Sequence, residues 1–221
     1  MFSDLILSCP HCQALARMVL PEAVEMPGMI TWTDGWQTAP GLARAPRATL
    51  CPTCSRAFWI GEANQLGFAS REQAPDDPAW ATAPILKPLD ENGAQQALDE
   101  GLGSFTDLEL ELRVLRWWRG NDPFRCADVV LGYQTESAAV ENMERMIAMT
   151  ADGGEDLLLF RAEAQRHLGR FDDLVETLRG VGCSDYWPAK SRLLELAAAG
   201  SRKLDVLFLP LEHDPSLEPV A

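Results

Sequence analysis

Cys9-Pro10-His11-Cys12 is answered, after 38 intervening residues, by Cys51-Pro52-Thr53-Cys54. Each motif follows a short apolar run, and the second also precedes one. A Cys-x-x-Cys turn directs two sulfurs at one point, and its own amides can donate to them. Two such knuckles facing one another give four thiolates in a tetrahedron, the closed geometry of a structural zinc site. Four thiolates around one divalent cation carry a net charge of about −2, so the ion would have no open position for Lewis-acid chemistry. Cys9, Cys12, Cys51 and Cys54 are therefore the candidate ligands, for one structural Zn2+. The spacing between the knuckles exceeds the roughly 15–20 residues of a compact ribbon, so extra strand or loop must lie between them. Gln13 and Ser55 stand where such knuckles usually carry glycine. If the backbone there is left-handed, each costs on the order of 1 kcal/mol.

The surrounding residues read as a small β module. Leu5-Ile6-Leu7, Ala16 to Leu20, Met29 to Trp32 and Ala57 to Ile60 are apolar runs of strand length. Between Arg71 and Pro88, four prolines and Asp76-Asp77 mark an exposed connection. The periodicity then becomes helical. Asp90 caps a helix to about Glu100, with Gly101 after it. Thr106-x-x-Glu109 is a capping box opening a helix from Asp107 to Arg119, with Gly120 and Pro123 as its stop. The apolar positions of that helix are spread widely enough to be buried on more than one side. Ser137 is expected to cap a helix to about Met149, and Asp152-x-x-Glu155 to open one through Leu168. Asp172 caps a third, ending near Gly180. Trp187-Pro188 begins the last, which Gly200 ends. Leu204 to Leu209 reads as a short strand or an extended segment, and 210–221 as a loose tail. The expected fold class is α+β: a β module over 1–68, a Pro-rich connection with a short helix over 69–103, and antiparallel helical hairpins over 104–209.

The paired Cys-Pro-x-Cys motifs, about 40 residues apart, resemble the CpXC class of bacterial zinc-ribbon-like domains over residues 1–68. That resemblance implies the same four cysteines as metal ligands and implies no activity; the absent glycines are its departure. Separately, Ala162 and His167-Leu168-Gly169-Arg170-Phe171-Asp172-Asp173-Leu174 resemble the turn of a tetratricopeptide repeat. This second likeness covers roughly 155–180, departs at Leu174 where a small residue is usual, and fits the 34-residue period poorly elsewhere. It implies stacked hairpins with a face for a peptide or partner protein.

Charge narrows the partners. The 221-residue chain holds 33 acidic and 19 basic side chains, a formal charge of −14. Residues 1–60 contain four of each, so the whole excess lies in 61–221. Such a surface repels phosphates and favours a basic protein or peptide over nucleic acid or an anionic membrane. The longest stretch without a charged residue, Leu5 to Ala16, is twelve residues, short of the roughly 18–20 needed to cross a bilayer. A cytoplasmic location is expected, where paired cysteines hold metal more often than they form disulfides.

The leading expectation is a non-enzymatic, zinc-stabilised interaction protein. Two alternatives stand beside it. Cys-Pro-His-Cys looks like the active site of thiol-disulfide oxidoreductases of the thioredoxin superfamily, where a helix N-terminus stabilises the first thiolate. Arg17, Arg44, Arg47 and Arg56 supply the basic residues a nucleic-acid-associated ribbon would use. The remaining chemistry-bearing residues read as structural: Cys126 and Cys183 as small buried hydrophobes, His167 as a dipole contact at a helix end, and Asp172-Asp173 as caps. Of Trp117 and Trp118, one is expected against neighbouring helices and the other at the junction with the β module.

Overall fold

In the computed structural model of this chain, residues 3–21, 28–39, 44–71, 77–104, 107–125 and 136–208 are described. Thr106, Cys126, His213 and the tail 210–221 lie outside them. The fold class is α+β, with seven strands first, the α-helices after them and one short strand last among the described residues.

The apolar runs flanking the first knuckle form β1 (Ser3–Ser8) and β2 (Leu15–Val19), an antiparallel pair joined through Cys9 to Ala14. β3 (Ile30–Trp32) and β4 (Gln37–Thr38) make a hairpin. β5 (Ala48–Leu50) and β6 (Ala57–Trp59) flank the second knuckle. β7 (Asn64–Ser70) adds to the free side of β1, giving the order β2-β1-β7. Residues 78–82 form a short helix, α1 (Pro78–Thr82), started by the Asp77 side chain accepting from Ala79 N–H.

The helices are α2 (Glu91–Asp99), α3 (Asp107–Arg125), α4 (Ser137–Met149), α5 (Glu155–His167), α6 (Phe171–Leu178) and α7 (Trp187–Ala198). Asp90 caps α2 as its sequence indicates, its carboxylate accepting from Gly93 N–H at 2.7 Å. α5 and α6 form a tight hairpin through Gly169, whose φ of +77° suits glycine. β8 (Val206–Phe208) then pairs with β3, joining the C-terminal end of the described chain to its N-terminal third.

Apolar packing runs in four successive clusters. The first surrounds the knuckles, with Ile60, Leu5, Leu7, Met18, Phe58 and Leu86 against Cys9 and Cys51. In the second, Ala48, Ala57 and Trp59 pack on Ala94 and Ala97 of α2 and Leu112 of α3. The third joins Val114 and Trp117 of α3 to Met143, Met146 and Ile147 of α4 and Ala164 of α5. The fourth lies among α5, α6 and α7 around Leu174, Leu178 and Leu193. α3 is thus buried on two sides, as its wide apolar set requires. Trp117 sits among the helices, 1% exposed. Trp118 faces the β3–β4 hairpin, its ring tilted against Trp36 with centroids 5.0 Å apart and its Nε1–H donating to Asp34 O at 2.8 Å.

Several local expectations are corrected. Ser137 is not a cap but the first residue of α4, with Glu136 at the cap position and no side-chain cap bond there. α3 does not stop at Gly120 but continues through Pro123 to Arg125. Proline cannot supply the amide for the carbonyl four residues back and crowds that turn, so tertiary bonds must carry the extension. Arg125 donates to Trp118 O at 2.7 Å, to Asp122 and to the buried Asp34, and Asn121 donates to Asp34 at 2.9 Å. Asp152 and Glu155 do not close a capping box. α5 starts after Gly154, and Glu155 accepts instead from Gly182 N–H at 3.0 Å and Cys183 N–H at 2.7 Å. α6 begins at Phe171, with Arg170 as its cap residue and Asp172 already inside the first turn. Cys183 is exposed, not buried, because it lies in the loop that Glu155 gathers. His167 does end its helix, but it is buried sideways, accepting at Nδ1 from Trp117 Nε1–H at 3.3 Å and meeting Glu163 at 3.2 Å.

Candidate metal centre

The two knuckles repeat one backbone pattern. Cys9 N–H donates to Ala14 O and Gln13 N–H to Cys9 O; Cys51 N–H donates to Arg56 O and Ser55 N–H to Cys51 O, all at 2.9 Å. Each loop is thereby closed on itself, which turns both of its sulfurs inward. The geometry demands a left-handed residue just after the second cysteine: Gln13 has φ +61° and Ser55 φ +59°. Both positions are therefore strained. Gln13→Gly and Ser55→Gly are each expected to stabilise the full chain by about 0.5–1 kcal/mol, after allowing for glycine's greater freedom when unfolded. Chemical denaturation of the metal-loaded protein measures this, and a loss of stability in both variants would contradict it.

The four sulfurs lie within 4.8 Å of one another. Cys9 Sγ is 3.9 Å from Cys54 Sγ, and Cys12 Sγ is 3.7 Å from Cys51 Sγ. An ion held at about 2.3 Å from four sulfurs sets tetrahedral edges of about 3.8 Å, so the donor set and its spacing fit a tetrahedral metal. Cys9 and Cys51, the first residue of each knuckle, are buried, while Cys12 is exposed and Cys54 half-buried. Amides point at the buried sulfurs: His11 N–H at Cys9 Sγ and Thr53 N–H at Cys51 Sγ, both 3.4 Å, and Cys54 N–H at Cys51 Sγ, 3.5 Å.

The buried thiols sit in unlike electrostatic settings. Burial pushes the Cys9 thiol up to about 12. At Cys51 the same burial is outweighed by the Cys54 and Thr53 amides and by neighbouring thiols, which bring it down to about 7. Four thiolates this close repel one another strongly without a cation between them, whereas a bound divalent ion deprotonates coordinating thiols outright.

A supporting shell that the sequence does not announce comes largely from α2. Gln96 donates to Ser55 O at 2.8 Å, and Glu100 accepts from Ala57 N–H at 2.9 Å. The Gln96 amide, against the cost of burial, helps hold the Glu100 carboxyl below its ordinary range, with Ala57 N–H adding to it. His11 bridges the knuckles without joining the sulfur cluster: its Nε2 lies 3.0 Å from Ala57 O, and its ring meets Phe58 edge-on. The signal available in sequence was only the helical spacing of Gln96 and Glu100.

The four arginines of the first sixty residues do not form one stripe. Arg17 pairs with Asp4 at 3.6 Å, Arg47 with Glu111 at 2.9 Å, Arg44 lies over Trp36, and Arg56 is exposed. Compared with family models, curated proteins and solved structures, the chain matches none. No helix among the described residues is long and apolar enough to cross a membrane.

Proposed function

We propose that Cys9, Cys12, Cys51 and Cys54 bind one structural Zn2+, and that the chain is a zinc-stapled adaptor that engages a basic protein or peptide through its acidic helical half. The observation that carries the first part is the pair of sulfur contacts at 3.9 and 3.7 Å, close to the edges of a tetrathiolate tetrahedron. Four sulfurs fill that coordination, so the ion organises the fold and offers nothing to a substrate. The zinc-ribbon likeness of 1–68 agrees with this role.

The course of the backbone after Cys12 disfavours the oxidoreductase alternative. The chain passes directly into β2, antiparallel to β1, whereas lowering a thiol by a helix N-terminus needs a helix at that point. The partner half of the proposal rests on charge. α6 alone exposes Asp172, Asp173 and Glu176, and Glu141, Asp152, Asp156 and Asp185 are exposed on neighbouring elements. The tetratricopeptide-like turn at Gly169 agrees with a surface of stacked hairpins.

Affinity capture from the native cell extract, at low and at high salt, tests the partner. A basic protein retained at about 0.05 M salt and released by about 0.5 M is expected, since exposed charges are screened over about 10 Å at 0.1 M. A partner held equally at both would remove the electrostatic argument.

A further inference from the structure

Three arginines gather around Trp36. The guanidinium carbon of Arg44 lies 4.4 Å from its ring centroid, that of Arg119 4.8 Å and that of Arg125 5.8 Å. Three separated segments supply these groups: the β3–β4 hairpin, the residues before β5, and the second half of α3. Two adjoining cavities open beside them. One, of about 170 Å³, is mostly apolar and reaches Pro46, Leu89, Leu115 and Trp118, with the Arg47–Glu111 ion pair also on its lining. The other, of about 260 Å³, runs along Gln37 and Thr38. Trp36, Arg44, Pro88 and Arg119 line both.

The three arginines are not equally committed. Arg125 is consumed by Asp34, Asp122 and Trp118 O. Arg119 holds Asp122 at 3.1 Å. Arg44 donates to Gln37 O at 3.3 Å and has no carboxylate partner among the described residues. Burial first, and then repulsion from the Arg119 charge, pull the Arg44 guanidinium below its ordinary range. An anion between them would relieve that repulsion and make charge-assisted bonds to both. The apolar cavity behind is close to the roughly 150 Å³ that accommodates a benzene ring.

We propose that this cleft binds a small ligand with an anionic head, a carboxylate or phosphate, and a flat apolar body. The head sits between Arg44 and Arg119, and the body enters the apolar cavity against Trp36 and Trp118. Such a ligand is either a free small molecule or the terminal carboxylate of a peptide ending in an aromatic residue. None of the four cysteines lines the cleft.

Calorimetric titration of the full chain tests this with three probes: phenyl phosphate, a tripeptide ending in phenylalanine with a free carboxylate, and the same peptide amidated. Saturable binding of phenyl phosphate or of the free-carboxylate peptide is expected, weakened about tenfold or more by Arg44→Gln. Tighter phenyl phosphate points to a free anion, and a tighter free-carboxylate peptide points to a chain terminus. The amide should bind far more weakly than the free acid. Arg44 is exposed, so Arg44→Gln should fold; if its melting temperature falls, displacement of the bound probe from the unaltered chain by inorganic phosphate serves the same purpose. No saturation by either anion, equal affinity in a folded Arg44→Gln, equal binding of acid and amide, or failure of phosphate to compete would each overturn the proposal.

Discussion

Cys51→Ser is expected to abolish metal binding and to unfold the strands around the two knuckles. Cys51 is 2% exposed and lies in the same apolar cluster as Leu7, Phe58 and Cys9. The hairpin on either side of it consists of two three-residue strands, too little surface to hold itself together. In small zinc modules the metal supplies about 10–16 kcal/mol of folding free energy, far more than so short a hairpin can replace. The loss should spread as far as α2, whose Ala94 and Ala97 pack on Ala48 and Ala57 and whose Gln96 and the adjoining Glu100 bond the second knuckle. It should fade beyond α3, because α4 to α7 hold clusters of their own. Hydrogen exchange should therefore rise sharply in β1, β2, β5 and β6, while α4 to α7 keep their protection and most helical circular dichroism remains. Native-like exchange at the knuckles of Cys51→Ser would contradict a metal-stapled fold.

Removing Glu163 should have the next largest effect. Its carboxylate is fully buried and bonds Arg166 at 2.5 and 2.6 Å, with His167 at 3.2 Å. Arg166, itself fully buried, also donates to Ser201 O at 2.8 Å and Thr33 Oγ1 at 3.4 Å. The pair therefore links α5 to the β3–β4 turn and to the segment leading into β8. Glu163→Gln leaves a buried guanidinium uncompensated, a loss of about 3–5 kcal/mol. In a chain of this size that is a fall in melting temperature of roughly 10 °C.

The same carboxylate sets a pH dependence. Burial alone would raise it, but Arg166 foremost and then His167 bring it down to about 2. A carboxyl depressed in the folded state stabilises above its unfolded value, near the ordinary 4.5, and loses that contribution as pH falls through about 2. The stability gap between the unaltered chain and Glu163→Gln should be constant from neutral pH to about 4.5 and close towards pH 2. A gap that is absent at pH 7, or that does not narrow in acid, would contradict the role given to the pair.

The knuckles were legible because their geometry is local: two cysteines, one turn, and the residue after each. Strain at Gln13 and Ser55 followed from the same locality. Asp90 and Gly169 acted at helix ends as their types dictate, and the wide apolar face of α3 signalled burial on two sides. What escaped depended on distant residues. β7 exposes Leu66 and Phe68, the latter 64% exposed, so its alternation does not read as a half-buried strand. The run of α3 past Pro123 is held by Asp34, some ninety residues away, and no pattern around the proline shows that. The β3–β8 pairing is equally long-range. The Trp36 cleft gathers Arg44 from a stretch without acidic residues, 35–61, and Arg119 from a helix of balanced charge, and neither pattern shows that the two meet.

The central claim is that the four sulfurs hold one ion, and metal content is the direct measure of that. Protein purified without added metal should carry close to one equivalent of zinc per chain by elemental analysis. Cys9, Cys12, Cys51 and Cys54 should resist thiol reagents until a chelator is added. A folded chain with no metal and four freely titrating thiols at these positions would contradict it.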